Sequence, residues 1–246
     1  MLPDGLCHHA AMGRRKKKKR GLRPASIVGR ILLALLVLQA VYLALLRVMF
    51  PPLTITQAFA AVETRRLERD YVALEAIPAH ARLAVIAAED QRFALHGGFD
   101  WRSVRAALRH NEQHPARARG ASTITQQVAK NIFLWQAKSW LRKGLEAYFT
   151  VLLEVTLDKR RILELYLNIA EMGPGVFGIE AAARHYFGKP ARGLTPEEAA
   201  LIAACLPNPK VYRADRPTRR VRAKAEWILG QARALRGSHD IAVLLR

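Results

Sequence analysis

Acidic residues are scarce in this chain of 246 residues. Its 20 Asp and Glu are outnumbered by 40 Lys and Arg, which gives a formal net charge of +20 at pH 7. Residues 1–30 contain only nine of the basic side chains, so the rest of the chain is itself strongly cationic. We therefore expect anionic partners, namely phosphates, acidic lipid headgroups or nucleic acid.

Cysteine is nearly absent. Cys7 and Cys205 are the only two, which excludes a disulfide framework, and no Cys/His spacing has the form of a zinc site. Cys205 lies in a run of Ala, Leu and Ile and is predicted to be a small core residue. No metal site is predicted from the sequence.

A long apolar segment follows a cationic run. Residues 14–20 are all Arg or Lys, and residues 27–50 are predominantly apolar. As a helix, residues 27–50 would be about 36 Å long, enough to cross a hydrocarbon core of about 30 Å. Because the basic run lies on the N-terminal side, we predict a cytoplasmic tail (1–26), a retained transmembrane signal anchor (27–50) and a domain outside the cytoplasm (51–246). A cleaved signal peptide, with a peptidase site at 58–60, is the alternative.

The chain beyond the anchor is predicted to be one mainly α-helical domain. No alternating strand pattern, repeat or interdomain linker is apparent. Asp100, Ser122 and Thr195 are the predicted N-caps of three helices, and turns are expected at 173–175 and 207–209. The predicted helices cover about 55–75, 80–94, 100–112, 122–134, 139–157, 159–170, 177–187, 195–206 and 217–235.

Residues 120–131 combine an apolar stripe with an unusually polar one. On a helix, Ile124 and Val128 lie on the apolar stripe, while Thr123, Gln127 and Lys130 lie on another face. Hydrogen-bond donors with one cation suit a sugar or a phosphate. A solvated amphipathic helix is the alternative.

Two further segments carry candidate charges. Glu89 and Asp90 are adjacent carboxylates that would point about 100° apart on a helix, so one can be half-buried with a raised pKa while the other accepts hydrogen bonds. Arg142 and Glu146 are spaced as a helical i, i+4 pair. The alternatives are a solvated face for the first pair and a surface ion pair, worth a few tenths of a kcal/mol, for the second.

Five segments together resemble the signatures of the family 51 glycosyltransferases, which polymerise bacterial cell-wall glycan from lipid II. In order along the chain they are 89–101, 120–131, 142–146, 159–168 and 178–189. The likeness is greatest to the monofunctional peptidoglycan transglycosylases of Gram-negative bacteria, because Ser-x-x-Lys and Lys-Thr-Gly are absent. The resemblance implies a single lysozyme-like helical domain after one transmembrane helix, periplasmic and held in the inner membrane.

The resemblance also implies a reaction. A glycan chain on undecaprenyl pyrophosphate is transferred to the GlcNAc 4-hydroxyl of lipid II, with inversion to a β-1,4 bond. Glu89 would be the general base, and Glu146 would face it across a cleft. The last two signatures, 159–168 and 178–189, are expected to be mostly structural.

The substrate-binding residues implied by the resemblance fall into two groups. Cations would hold the pyrophosphate, and polar side chains would bind sugar or phosphate oxygens. The cations are Lys130, Lys138 and Arg142, with Lys143 as a further candidate; the polar residues are Ser122, Thr123, Gln127 and Asp90.

Partners and cofactors follow from the same resemblance. We expect a membrane, lipid II, the lipid-linked glycan and other cell-wall synthesis and division proteins as partners, and no nucleic acid. No cofactor is expected to be required, although Mg²⁺ or Mn²⁺ could assist the pyrophosphate. The segment 133–135 is expected to touch the membrane surface. A membrane-anchored lysozyme-like hydrolase, with Glu89 in its acid form and water as acceptor, is the alternative enzyme; a non-enzymatic scaffold is the alternative without chemistry.

Overall fold

A computed structural model describes residues 24–115, 120–137 and 139–245, which divide into two units at Val41–Tyr42. In the first unit the chain is an apolar helix. This helix, α1, runs from Pro24 to Leu45, and its stretch Ile27–Leu45 is long and apolar enough to cross a membrane. It ends five residues before the predicted limit at Phe50, and Leu43 and Leu46 are buried in the core of the second unit.

The second unit is mostly helical, as predicted. Its helices are connected by short turns, and within the described residues single turns of 3₁₀ helix occur at Leu74–Ala76, Phe93–Leu95 and Ala191–Gly193. The α-helices are α2 (Ile55–Thr64), α3 (Ala79–Glu89), α4 (Trp101–Gln113), α5 (Ile124–Phe133), α6 (Trp140–Thr156), α7 (Lys159–Ile169), α8 (Ile179–Phe187), α9 (Pro196–Cys205), α10 (Arg219–Leu235) and α11 (His239–Leu245).

Helix α3 lies at the centre of the core. Every residue from Ala81 to Ala87 is buried, because α9 and α10 pack on this helix. Cys205, at the end of α9, is also fully buried, as predicted, and burial raises the pKa of its thiol to about 11. The central position of α3 fixes its last residue, Glu89, at the edge of the core.

A small sheet replaces part of one predicted helix. The helix predicted over 55–75 ends at Thr64, and the chain continues as an extended segment containing β1 (Glu68–Arg69). Strand β1 pairs in parallel with β3 (Val176–Phe177), which pairs antiparallel with β2 (Glu171–Gly173). Strands of two or three residues are too short to produce an alternating pattern, so the sequence does not reveal them.

Two of the three predicted N-caps are confirmed, and one is wrong by a single residue. The Asp100 carboxylate accepts hydrogen bonds from the first turn of α4, and Thr195 forms a capping box with Glu198. Helix α5 is capped by Thr123 and not by Ser122, because Thr123 forms the capping box with Gln126. Both residues are good caps, and the partner three positions later decides between them.

Candidate active site

Glu89 is the last residue of α3 and is half-buried at the edge of a cleft. Its Oε2 accepts a hydrogen bond of 2.5 Å from the side-chain amide of Gln127 on α5. Burial raises the pKa of Glu89, while the Gln127 hydrogen bond and the charges of Lys224 and Lys130 oppose this rise. A carboxylate whose pKa is raised by burial, with cations nearby that oppose the rise, suits a general base.

The amide that contacts Glu89 is itself oriented by Tyr166 of α7. The buried Tyr166 hydroxyl donates to Oε1 of Gln127 at 3.4 Å, so the Gln127 nitrogen is turned towards Glu89. Another residue of this signature, Asn168, has the structural role that was predicted for most of the segment. Its side chain bonds both the backbone N–H and the carbonyl of Val72.

Asp90 and Thr123 are buried and committed to contacts within the protein. The Asp90 carboxylate contacts His96 Nε2 at 3.0 Å and accepts from the backbone N–H of Ile124 at 3.1 Å. Thr123 donates its hydroxyl to the carbonyl of Gly98 at 2.7 Å and accepts from Gln126 N–H. Both residues therefore fix the start of α5 beside Glu89. The sequence analysis predicted instead that their side chains bind substrate.

Gly98 is required at this junction for two reasons. Its φ is +88°, and a Cβ at this position would lie 2.7 Å from Thr150 Cγ2. Any side chain would displace the loop whose carbonyl accepts from Thr123.

A group of charges lies on α5 and α6. Glu146 is 3% exposed and is paired with Arg142, at 2.6 Å, and with Lys143. The i, i+4 ion pair therefore forms, but in a buried setting. Lys130 lies near Glu146, and burial lowers its pKa, while the charges of Glu146 and Glu89 oppose this. Within the described part of the chain, Nε of Arg142 is buried and has no acceptor.

Glu89 and Glu146 line the same cleft, of about 480 Å³. Ser122, Gln127 and Lys130 line it too, and Ser122 is exposed. The structure thus brings together five of the predicted site residues. Lys138 lies outside the described residues.

Two residues of α10 border the site without having been predicted. Trp227 lines a second cleft, of about 280 Å³, together with Glu89 and Ser122. Lys224 lies over the Trp227 ring and acts electrostatically on Glu89. Lys224 is the only Lys of α10 beside four Arg, but nothing in the sequence relates it to Glu89.

The described residues contain no group of three or more His, Cys, Asp or Glu side chains arranged to hold a metal ion.

The segment predicted to touch a membrane is largely packed inside. Leu134 is buried and Phe133 stacks on Phe149 with ring centroids 4.3 Å apart, because both complete the core between α5 and α6. A cluster of exposed apolar side chains lies instead on the outer face of α6. They are Trp140, Leu141, Tyr148, Val151 and Val155.

Helices α3, α5 and α6 thus bring a half-buried glutamate, a cation and a second carboxylate into one cleft. Comparison with known proteins identifies the family. A family model described as transglycosylase matches residues 56–233. The chain belongs to the transglycosylase family.

Relatives match most of the chain. A protein of Aeromonas hydrophila is 51% identical over 85% of this chain and 93% of its own length. One of Mannheimia succiniciproducens is 55% identical over 69% of each chain, and one of Stutzerimonas stutzeri is 48% identical over 86% of this chain and 90% of its own. Each is named a biosynthetic peptidoglycan transglycosylase.

Proposed function

We propose that this protein is a peptidoglycan glycosyltransferase that polymerises glycan strands from lipid II. The observation that carries the proposal is the single cleft in which the half-buried Glu89 and the cation Lys130 lie together. The relatives' names and the transglycosylase match support the same activity.

Glu89 is the general base in this proposal. Its carboxylate takes the proton from the GlcNAc 4-hydroxyl of lipid II as that oxygen attacks C1 of the donor MurNAc. The bond from C1 to the undecaprenyl pyrophosphate breaks on the opposite face, which gives a β-1,4 bond with inversion. Gln127 holds the carboxylate through its 2.5 Å hydrogen bond.

The leaving pyrophosphate needs positive charge more than it needs a proton. Lys130 and Arg142 supply this charge, with Lys143 beside them and Lys138 as a further cation. The buried Nε of Arg142, which has no acceptor among the described residues, is a donor available to an anion. Glu146 fixes Arg142 and Lys143 through its ion pairs, and the exposed Ser122 donates to phosphate or sugar oxygens.

This mechanism does not require a cofactor. The cations of α5 and α6 already provide charge for the pyrophosphate, so Mg²⁺ or Mn²⁺ would act only as a supplement on the substrate. A polymerisation rate abolished by EDTA and restored by Mg²⁺ would contradict this part of the proposal.

The hydrolase alternative is the weaker one. A raised pKa of Glu89 also suits a general acid, but a hydrolase leaves the cations Lys130 and Arg142 without a task. The two reactions differ in product, since the hydrolase shortens preformed glycan.

We also propose that the chain is anchored in the inner membrane with residues 1–26 in the cytoplasm and the catalytic domain in the periplasm. The apolar stretch Ile27–Leu45 is about 28 Å long at 1.5 Å per residue. The exposed apolar face of α6, including Trp140 at 93% exposure, provides a surface that suits a lipid interface. Protease added to spheroplasts should digest the catalytic domain; protection of that domain would reverse the orientation.

The decisive experiment is polymerisation of labelled lipid II by the detergent-solubilised full chain, with wild type beside Glu89→Gln. We expect long glycan from the wild type and a rate about 10²–10⁴ lower from the variant, the typical value of a general base. Equal rates would remove Glu89 from the role of base. Shortening of preformed glycan without polymerisation would favour the hydrolase.

A further inference from the structure

Helix α10 supplies an aromatic ring to the cleft beside Glu89. Trp227 is 44% exposed and lines the cleft of about 280 Å³ to which Glu89, Ser103 and Ser122 also contribute. Helix α10 packs directly on α3 and α9, so the position of this ring is fixed relative to Glu89. A large, partly exposed aromatic side chain on a rigid helix is a ready contact surface.

Lys224 braces this ring from one side. Its ammonium lies 3.7 Å from the centroid of the Trp227 ring, a close cation–π contact one helical turn away. Since a ring has two faces and the cation covers one, the exposed part of Trp227 is left for the cleft. Lys224 thereby restricts the rotamers of Trp227 before any ligand binds.

The chemistry of this cleft differs from that of its neighbour. The neighbouring cleft carries Lys130 and suits a phosphate, whereas the charged side chains that line the cleft of Trp227 are the carboxylates of Glu89, Asp90 and Asp100 and the guanidinium of Arg92. Asp90 contacts His96 at 3.0 Å, and Arg92 lies 3.5 Å from Asp100. Two serine hydroxyls beside an aromatic ring suit a sugar, which has apolar C–H faces and polar edges.

The geometry of the proposed reaction also separates the two clefts. An inverting displacement places the leaving group and the attacking oxygen on opposite sides of C1. With the pyrophosphate held beside Lys130, a pyranose on the other side of Glu89 would enter the cleft of Trp227.

We propose that Trp227, braced by Lys224, is a saccharide platform that binds the apolar face of an N-acetylated pyranose of the cell-wall glycan beside Glu89. The inference rests on the proposed polymerase function. The pyranose is either that of the acceptor lipid II or a sugar further along the donor strand, and the two share the same recognition chemistry.

The test uses the full chain in detergent and two substitutions that differ in the ring. Trp227→Phe keeps an aromatic face, and Trp227→Leu keeps only apolar volume. We expect kcat/KM to fall about 30-fold in Trp227→Leu, mainly through a higher KM, and less than about fivefold in Trp227→Phe. Arg222→Ala, an exposed cation on the same helix, is the matched control and should leave the rate unchanged.

Two arms identify the source of the sugar. With lipid-linked tetrasaccharide as donor in excess, a raised KM for lipid II assigns the platform to the acceptor. A raised KM for the tetrasaccharide, with that for lipid II unchanged, assigns it to the donor strand. Either result supports the platform.

The proposal is overturned if Trp227→Leu keeps both KM values within twofold of wild type. It is also overturned if Phe and Leu lose activity equally and in step with the melting temperature, because that pattern marks a packing residue. A wild type that makes no polymer would refute the proposed function itself, and the platform would then be tested by binding. Soluble GlcNAc–MurNAc should quench the tryptophan fluorescence of wild type but not of Trp227→Phe, and equal quenching in both would exclude the platform.

Discussion

Glu89 lies between two clefts, one lined by residues of α5 and the other by Trp227 of α10. We call these helices the α5 wall and the α10 wall, and only the α5 wall can be identified from the sequence. On α5, Gln127 and Lys130 lie opposite the buried Ile124 and Val128, so polar residues stand out against an apolar stripe. On α10 the candidate cation, Lys224, is one of five basic residues, the other four of which are Arg. A functional residue can be recognised in the sequence when it differs from the apolar pattern of its own helix. It cannot be recognised when its role depends on how that helix packs against a neighbouring one.

The largest effect expected from this comparison is on the α5 wall. Lys130→Met removes a half-buried cation from beside Glu89 and Glu146, and with it charge for the leaving pyrophosphate. We expect kcat to fall about 10²–10³-fold, as for other electrostatic stabilisers of a transition state. Steady-state polymerisation of lipid II measures it.

The control for Lys130 is Arg222→Ala, which removes an exposed cation from the opposite wall. If both substitutions slow the reaction alike, the general positive charge of the domain matters and Lys130 has no specific role. A raised KM at unchanged kcat in Lys130→Met would place this lysine in ground-state binding.

The sequence predicts the helical class and most of the helices because their apolar stripes and caps are local. It fails where a decision depends on distant contacts. The extended chain around β1 is stabilised by pairing with β3, more than 100 residues away. The cap of α5 is a different case, because Gln126, which selects Thr123 over Ser122, is only three residues away.

The residues of the site likewise divide into those that local sequence predicts and those that depend on distant contacts. Glu89, Lys130 and Glu146 occur in recognisable segments, and the cleft contains all three. The positions of Tyr166 and Trp227 beside that cleft arise from the packing of α7 and α10 on their neighbours. No sequence pattern predicts either position, so the roles of Tyr166 and Trp227 can be inferred only from the structure.

A smaller effect is expected on the α10 wall and should appear in the pH profile. The charge of Lys224 lowers the pKa of Glu89, against the rise caused by burial. Glu89 must be ionised to act as a base, so activity is lost as the pH falls through its pKa. Lys224→Met raises that pKa further, and the acid limb of the kcat profile should move to higher pH.

The pH dependence of Lys224→Met can be compared with that of a second substitution on the same helix. Lys224→Met should lose a few-fold more activity at acid pH than at neutral pH, whereas Arg222→Ala should match wild type at every pH. A uniform loss in Lys224→Met, with the acid limb unmoved, would mean that Lys224 acts only by bracing Trp227.

The smallest effect is expected at Tyr166, which reaches the site only through α5. Tyr166→Phe removes the hydroxyl that donates to Gln127 Oε1, so the amide is freer to turn its oxygen towards the Glu89 carboxylate. We expect kcat to fall about twofold with KM unchanged, since one long hydrogen bond of about 0.5 kcal/mol is lost.

Tyr186→Phe is the matched control for this substitution. Its hydroxyl donates to the carbonyl of Met172 at 3.1 Å, and Tyr186 lines neither of the two clefts that contain Glu89. Both variants should therefore lose similar stability, while only Tyr166→Phe slows catalysis. If the two lose activity in proportion to their melting temperatures, Tyr166 is a core residue without influence on Gln127. A selective loss of activity in Tyr166→Phe would establish that α7 positions Glu89 through Gln127 of α5. Part of the site would then depend on helix packing that the sequence does not predict.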